Sequence, residues 1–283
     1  MKLNKYPDGT SYVSDTKLGE QVFRVNTYED LWHLSQFVDA FHNQHDTISV
    51  SMKPNIIIPN LPDAQADRRF SQGESFGLKL VLKFLAGLDA NLKIFHPHNS
   101  EVVEIAFEVL DKKVVILDNT EFIEEVLAKL EWYNTIEDGV RKDFNSFLMS
   151  SDAGGFKPLM KLCDKIKWKG EVYSASKSRK YEDGKSKLIQ LVDKQDFEGK
   201  DILIVDDMCL GGGTFIGLAK MLKEKNCGKL YLAVSHMTLP KPNPELFELF
   251  DKVFTTNSKG LDYLIRGGEY GHTPHNLEVI NKF

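Results

Sequence analysis

The chain has little of what export, membranes or nucleic acid require. Its 283 residues include only three cysteines, Cys163, Cys209 and Cys227, with no CxxC spacing. A set this sparse and odd excludes a disulfide framework and fits a reducing compartment. No apolar run approaches the roughly 20 residues of a membrane span, and Leu80-Val81-Leu82 is cut at once by Lys83. The opening Met1-Lys2-Leu3-Asn4-Lys5-Tyr6-Pro7 lacks the apolar centre of a secretion signal, so a cytoplasmic location is expected. Basic charge is also short: 36 Lys and Arg face 41 Asp and Glu, a net charge of -5. That balance counts against nucleic acid as a partner. Any anion must then be held by backbone amides and a few placed cations.

Apolar content, at 42%, is enough for a sizeable core, and the length suits two domains of ordinary size. Short apolar runs alternate with stretches at helical spacing. Ile56-Ile57-Ile58, Leu92 to Phe95 and Val114 to Leu117 read as strands. So do Phe147-Leu148-Met149, Ile202 to Val205 and Leu230 to Val234. Between them, Leu78, Val81, Leu82 and Leu85 recur as one face of a helix. Phe122, Val126 and Leu130 mark another, followed by helices through Leu159 and Leu162 and through Ile216, Leu218 and Met221. The alternation predicts an α/β protein with mainly parallel sheets flanked by crossover helices. The charged stretch Glu131 to Asp143 interrupts it, so the boundary is expected there, giving domains 1–130 and 131–283. Ser174 to Lys187, rich in Lys and Ser, reads as a mobile loop.

The segment Ile202-Leu203-Ile204-Val205-Asp206-Asp207-Met208-Cys209-Leu210-Gly211-Gly212-Gly213-Thr214 carries the clearest chemistry. A buried strand ends in two carboxylates, a glycine turn follows, and a helix begins. In a parallel sheet this is the C-terminal edge, where ligands bind. Glycines let backbone approach a phosphate, and a helix N-terminus offers free N–H groups. Two adjacent carboxylates can accept from the vicinal diol of a ribose or hold a metal-bound water. A capping acid alone explains neither the pair nor the glycines. A second strand end, Ser151-Asp152-Ala153-Gly154-Gly155, also opens a helix. There Asp152 can orient a metal or sugar hydroxyl, or simply cap, while Gly154 permits close approach.

The first of these segments resembles the phosphoribosyl-diphosphate motif of type I phosphoribosyltransferases. The second, together with Ile58 to Arg69, Gly73-Glu74 and His98 after a strand, is similar to ribose-phosphate pyrophosphokinases. The match in order and spacing runs from Asn55 to Ser258. The resemblance implies two phosphoribosyltransferase-like domains. It also implies transfer of the β,γ-pyrophosphoryl group of ATP to the anomeric hydroxyl of a phosphorylated ribose, with Mg²⁺. Lys177 and Arg179 then occupy the positions of a catalytic Lys-x-Arg pair; by themselves they are also a solvated charge run. Asp206, Asp207, Gly211, Gly212, Gly213, Thr214, Asp152 and Gly154 take the ribose phosphate. Asp67, Arg68, Arg69 and His98 take ATP, and His98 and Asp152 its metal. A homo-oligomer is implied as well.

Several positions depart from the family pattern. His96 stands where an acid is expected, and Gln65 and Ala66 replace an Arg-Gln pair. In the phosphate loop Leu210, Gly211, Gly212 and Gly213 replace an acid and hydroxyl-bearing residues, leaving Thr214. Loss of side-chain donors weakens the grip on a monoester dianion and leaves room. That suits a 5′-extended ribose such as ADP-ribose. The alternatives are a phosphoribosyltransferase, which the missing acid at Leu210 disfavours, and a non-catalytic regulatory homologue.

Overall fold

The computed structural model describes residues 1–45, 52–98, 100–110, 114–132, 136–137, 140–141, 146–182, 185–239, 243–259 and 274–283, with backbone alone for 100, 136–141 and 177–190 where described. It contains two compact units, Met1–Asp118 with Phe283, and Asn119–Lys282.

The first unit runs β1 (Lys2–Lys5), β2 (Ser11–Ser14), β3 (Glu20–Val22), α1 (Tyr28–His45), β4 (Asn55–Ile58), α2 (Gly77–Ala86), β5 (Asn91–Phe95), α3 (Ser100–Leu110) and β6 (Val114–Leu117). β1 and β2 form an antiparallel hairpin. The other four strands form a parallel sheet in the order β3-β4-β5-β6. Ile56, Ile58, Leu92 and Ile94 are buried in its core with Leu34, Phe37 and Phe41 of α1 and Leu78, Leu82 and Leu85 of α2. Those helical residues recur every three or four positions, the spacing that gathers apolar side chains on one face.

The second unit runs α4 (Thr120–Lys129), β7 (Ile136–Glu137), β8 (Val140–Arg141), β9 (Ser146–Ser150), α5 (Ala153–Ile166), β10 (Val172–Ser174), β11 (Ser176–Glu182) and β12 (Lys185–Leu191). It continues with β13 (Asp201–Leu210), α6 (Gly213–Glu224), β14 (Leu230–Thr238), α7 (Pro244–Leu249), β15 (Lys252–Thr256) and β16 (Leu277–Ile280). Six strands form a parallel sheet in the order β10-β9-β13-β14-β15-β16. Alternate residues of β13 serve opposite faces. Ile202 and Ile204 join one core with Phe215 and Leu218 of α6, while Leu203 and Val205 join another with Leu159 and Leu162 of α5. Covering on both faces is why β13 and β14 read as unbroken apolar runs.

The expected α/β class, parallel sheets and six strand positions are all present. The boundary lies earlier than the charged stretch suggested, because Phe122, Ile123, Val126 and Leu127 of α4 are buried in the second unit's core. The segment expected to be a mobile loop is different: Ser176–Glu182 and Lys185–Leu191 pair as an antiparallel hairpin. Its lysines and serines hid Tyr181, Leu188, Ile189 and Leu191, apolar residues that suit a strand.

Candidate functional site

β9 and β13 are neighbours, with Ser150 opposite Val205, so the chain beyond each strand emerges at one edge of the sheet. At that edge β13 loses its alternation. Cys209 lies five positions after Ile204 yet returns to the same buried cluster. Asp206, Asp207 and Met208 between them are half-buried at the rim.

Asp206 is held from two sides. The Ser151 hydroxyl donates to its Oδ2, and the Asp207 backbone N–H donates to its Oδ1 at 2.8 Å. Loss of solvation and the neighbouring Asp207 charge push the Asp206 carboxyl up to about 8, against the pull of the Ser151 bond. Two adjacent carboxylates at a half-buried rim gain from a cation or from the hydroxyl donors of a sugar diol.

The turn that follows needs its glycines at two positions. Gly211 has φ 77° and Gly212 φ 80°, the left-handed region that other residues enter at a cost. A Cβ on Gly212 would also lie 3.2 Å from Leu246 Cδ2, whereas one on Gly211 or Gly213 meets nothing within 4 Å. Gly212 is the N-cap of α6 and, having no side chain, makes no cap bond of its own. The first turn of the helix starts at Gly213, where backbone N–H groups face the strand end.

The other helix is arranged differently. Asp152 is the N-cap of α5 and accepts from Gly155 N–H at 3.0 Å. A Cβ on Gly154 would sit 3.3 Å from that carboxylate. Ser150 Oγ donates to the Asp152 carbonyl at 2.9 Å and meets Ser174 Oγ at 3.0 Å. Asp152, Gly154, Asp206, Asp207, Gly211, Gly212, Gly213 and Thr214 thus share one sheet edge. Lys177 and Arg179 stand two apart on β11, opposite Gln190 and Leu188, and that strand begins one residue after Ala175, whose N–H donates to Ser150 O. Their side chains lie outside the described residues.

In the first unit, Asp67, Arg68 and Arg69 follow β4, and His98 follows β5. Buried Asp67 receives Arg68 Nε and Nη2, each at 3.0 Å. Arg68 Nη2 also reaches Glu101 at 3.1 Å, three residues beyond His98, so loop and helix start meet. Arg69 turns away to the Glu74 carbonyl at 2.9 Å. Half-buried His98 completes this edge. Among the described residues no three His, Cys, Asp or Glu gather as a metal site, and no helix is long and apolar enough to cross a membrane.

The sequence reading gave no role to two residues that matter here. Ser151 was visible only as part of a segment; its bond to Asp206 spans 55 positions. Asn243, before Pro244, reads as an ordinary cap, yet its amide donates to Gly211 O at 2.6 Å.

A model of the phosphoribosyl transferase domain matches residues 115–262. The ribose-phosphate pyrophosphokinase of Sulfolobus acidocaldarius is 27% identical over 241 residues, 82% of this chain and 74% of that one. That of Pyrococcus furiosus is 23% identical over 270 residues, covering 91% and 85%. The phosphoribosylpyrophosphate synthetase structure from Mycobacterium smegmatis superposes with a TM-score of 0.71 at 17% identity, covering 99% of this chain and 85% of that one. With more than half of its length matched by the domain model, the chain belongs to the phosphoribosyl transferase domain family, as a divergent relative of the ribose-phosphate pyrophosphokinases.

Proposed function

We propose that this chain is a transferase that moves the β,γ-pyrophosphoryl group of ATP to the anomeric hydroxyl of a 5-phosphorylated ribose. The observation that carries the reading is the rim of β13. Two carboxylates, one raised by burial and by its neighbour, stand next to a glycine turn that opens a helix. That arrangement matches a sugar diol joined to a phosphate ester.

Asp206 and Asp207 accept hydrogen bonds from the ribose 2- and 3-hydroxyls. The amides of Gly213 and Thr214 hold the 5′-phosphate, with Gly211 and Gly212 shaping the turn. The anomeric oxygen attacks the β-phosphorus as the bond to the α–β bridging oxygen breaks. AMP leaves with that oxygen, and the hydroxyl proton passes to solvent. Lys177 and Arg179 offset charge on the transferring and leaving phosphates. Asp67, Arg68, Arg69 and His98 serve the nucleotide. Here buried Asp67 fixes Arg68 by a two-pronged bond that limits its motion.

Mg²⁺ fits this donor set. Magnesium takes one or two carboxylates beside substrate oxygens, and Asp206 and Asp207 place two adjacent carboxylates at the half-buried end of β13. When bound, it screens the phosphate charge. Asp152, on the same sheet edge, and in the first unit His98 are each assigned a metal contact by the family resemblance.

The acceptor is ribose 5-phosphate or a 5′-extended ribose such as ADP-ribose, and the glycine turn favours the second. Gly211 and Gly213 leave open space where a side chain would stand. A phosphodiester carries less charge than a monoester and needs fewer donors. Assembly into a homo-oligomer belongs to the same reading.

The test incubates protein, Mg²⁺ and ATP with ribose 5-phosphate or ADP-ribose at equal concentration. AMP release, with a product heavier by one pyrophosphoryl group, is expected, and faster with ADP-ribose. Preference for ribose 5-phosphate removes the extended acceptor. No AMP with any ribose phosphate removes the reaction.

A further inference from the structure

The glycine turn before α6 is held from outside, and the holder is a residue on α7. Asn243 occupies the N-cap of that helix, where an asparagine side chain normally accepts from the first turn. It does not do so: no side-chain cap bond is made. Instead its Nδ2 donates to the carbonyl of Gly211 at 2.6 Å. The backbone of Asn243 begins the helix alone, its carbonyl accepting from Leu246 N–H at 3.2 Å.

The same two residues close on Gly212. A Cβ there would meet Leu246 Cδ2 at 3.2 Å and Asn243 Nδ2 at 3.4 Å. From the other side, Gly211 N–H donates to the Thr238 carbonyl at 3.2 Å. Gly212 O accepts from Ile216 N–H at 3.0 Å, and the Gly212 N–H lies against the Cys209 thiol. Every backbone polar group of Gly211 and Gly212 therefore has a protein partner.

Two consequences follow. The amides of the turn that the turn itself does not use begin at Gly213, two residues later than the sequence suggested. The peptide that Asn243 fixes by the Gly211 carbonyl is the one that aims the Gly212 N–H at Cys209, since the C=O and N–H of one peptide point opposite ways, and so it sets where the chain enters Gly213. Three consecutive glycines have the widest conformational freedom of any tripeptide, so an unheld turn samples many orientations. We infer that Asn243, seated against Gly212 with Leu246, is a positioning residue that locks the glycine turn in its acceptor-binding form. This rests on the reading of that turn as the phosphate site.

The test compares the protein with Asn243→Asp and Asn243→Gln. Aspartate keeps the shape but sets an acceptor against the Gly211 carbonyl; glutamine keeps the donor on a longer arm. For Asn243→Asp the KM for the ribose acceptor is expected to rise by about 10-fold or more, the loss of one well-placed hydrogen bond. The KM for ATP stays within about two-fold of the unaltered protein, and Asn243→Gln recovers part of the loss. Equilibrium binding of ADP-ribose and of ribose 5-phosphate, by calorimetry without ATP, reads the same effect apart from turnover. If the unaltered protein releases no AMP, the reaction assigned above fails, and calorimetry alone decides the role of Asn243. Unchanged acceptor KM and affinity in Asn243→Asp overturn the inference. So does an equal rise in both KM values that tracks a fall in melting temperature, which marks a merely structural bond. Should Asn243→Asp not fold, Asn243→Ser, a shorter donor, is read by the same criteria.

Discussion

The Ser151 hydroxyl donates to Asp206 Oδ2, tying the end of β9 to the end of β13. With Oδ1 taken by the Asp207 N–H, the carboxylate is oriented before any sugar arrives. Preorganisation of this kind spares the cost of ordering the group on binding.

Ser151 should therefore act only through Asp206. Ser151→Ala is expected to lower acceptor kcat/KM by about 10-fold, and Asp206→Asn by about 10- to 100-fold, the range for bonds to a charged group. The double variant should be no worse than Asp206→Asn alone. Steady-state kinetics on the four proteins settles it; additive losses mean that the bond serves something else.

The raised Asp206 makes the unliganded protein sensitive to pH. Its folded value, about 8, lies above the roughly 3.9 of an unfolded aspartate. Between those values the folded state holds the extra proton, so stability falls as pH rises from about 4 to about 8. Asp206→Asn removes the penalty. Because the site is half-exposed and screened, a gain of only about 1–2 kcal/mol is expected at pH 8, fading towards pH 4. Melting curves of both proteins at pH 5 and pH 8 test this, and an equal difference at both values contradicts it.

On the proposed reaction, Lys177→Ala or Arg179→Ala should cost about 10³-fold or more in turnover. Folding should survive, because β11 and β12 pair with each other and not with the main sheet. AMP release and a melting curve on each variant are the measurements. Near-normal turnover in both returns these cations to a solvated surface.

Much of this was legible in the sequence, for a physical reason. A strand buried on both faces shows as a continuous apolar run, and Ile202 to Val205 and Leu230 to Val234 could hardly be anything else. The acid pair and glycines stood out because no single structural need accounts for them together. What stayed hidden was non-local. Ser151 and Asn243 are ordinary residues whose partners lie 55 and 32 positions away. The hairpin over Lys177 and Arg179 was masked by its charges. The helix α1 carries a helical period as plain as that of α2, with Leu34, Phe37 and Phe41 buried at spacings of three and four.

The three glycines should separate into two kinds. Gly212→Ala meets both the positive φ and Leu246, and is expected to cost about 1–3 kcal/mol of stability. Gly213 has neither constraint: no neighbour lies within 4 Å of an added Cβ, and its φ is not in the left-handed region. Gly213→Ala should thus be neutral or stabilising by about 0.5–1 kcal/mol, the usual gain over glycine in a helix. A residue that the fold leaves free to carry a side chain, yet carries none, points to room for the ligand. Gly213→Ser supplies a hydroxyl donor and fills that room. It should move preference from ADP-ribose towards ribose 5-phosphate by about 10-fold, the worth of one hydrogen bond to a charged group. Competition between the two acceptors, read by product mass, measures the ratio directly. A ratio unchanged by the serine would mean that the open space at this turn has no part in choosing the acceptor.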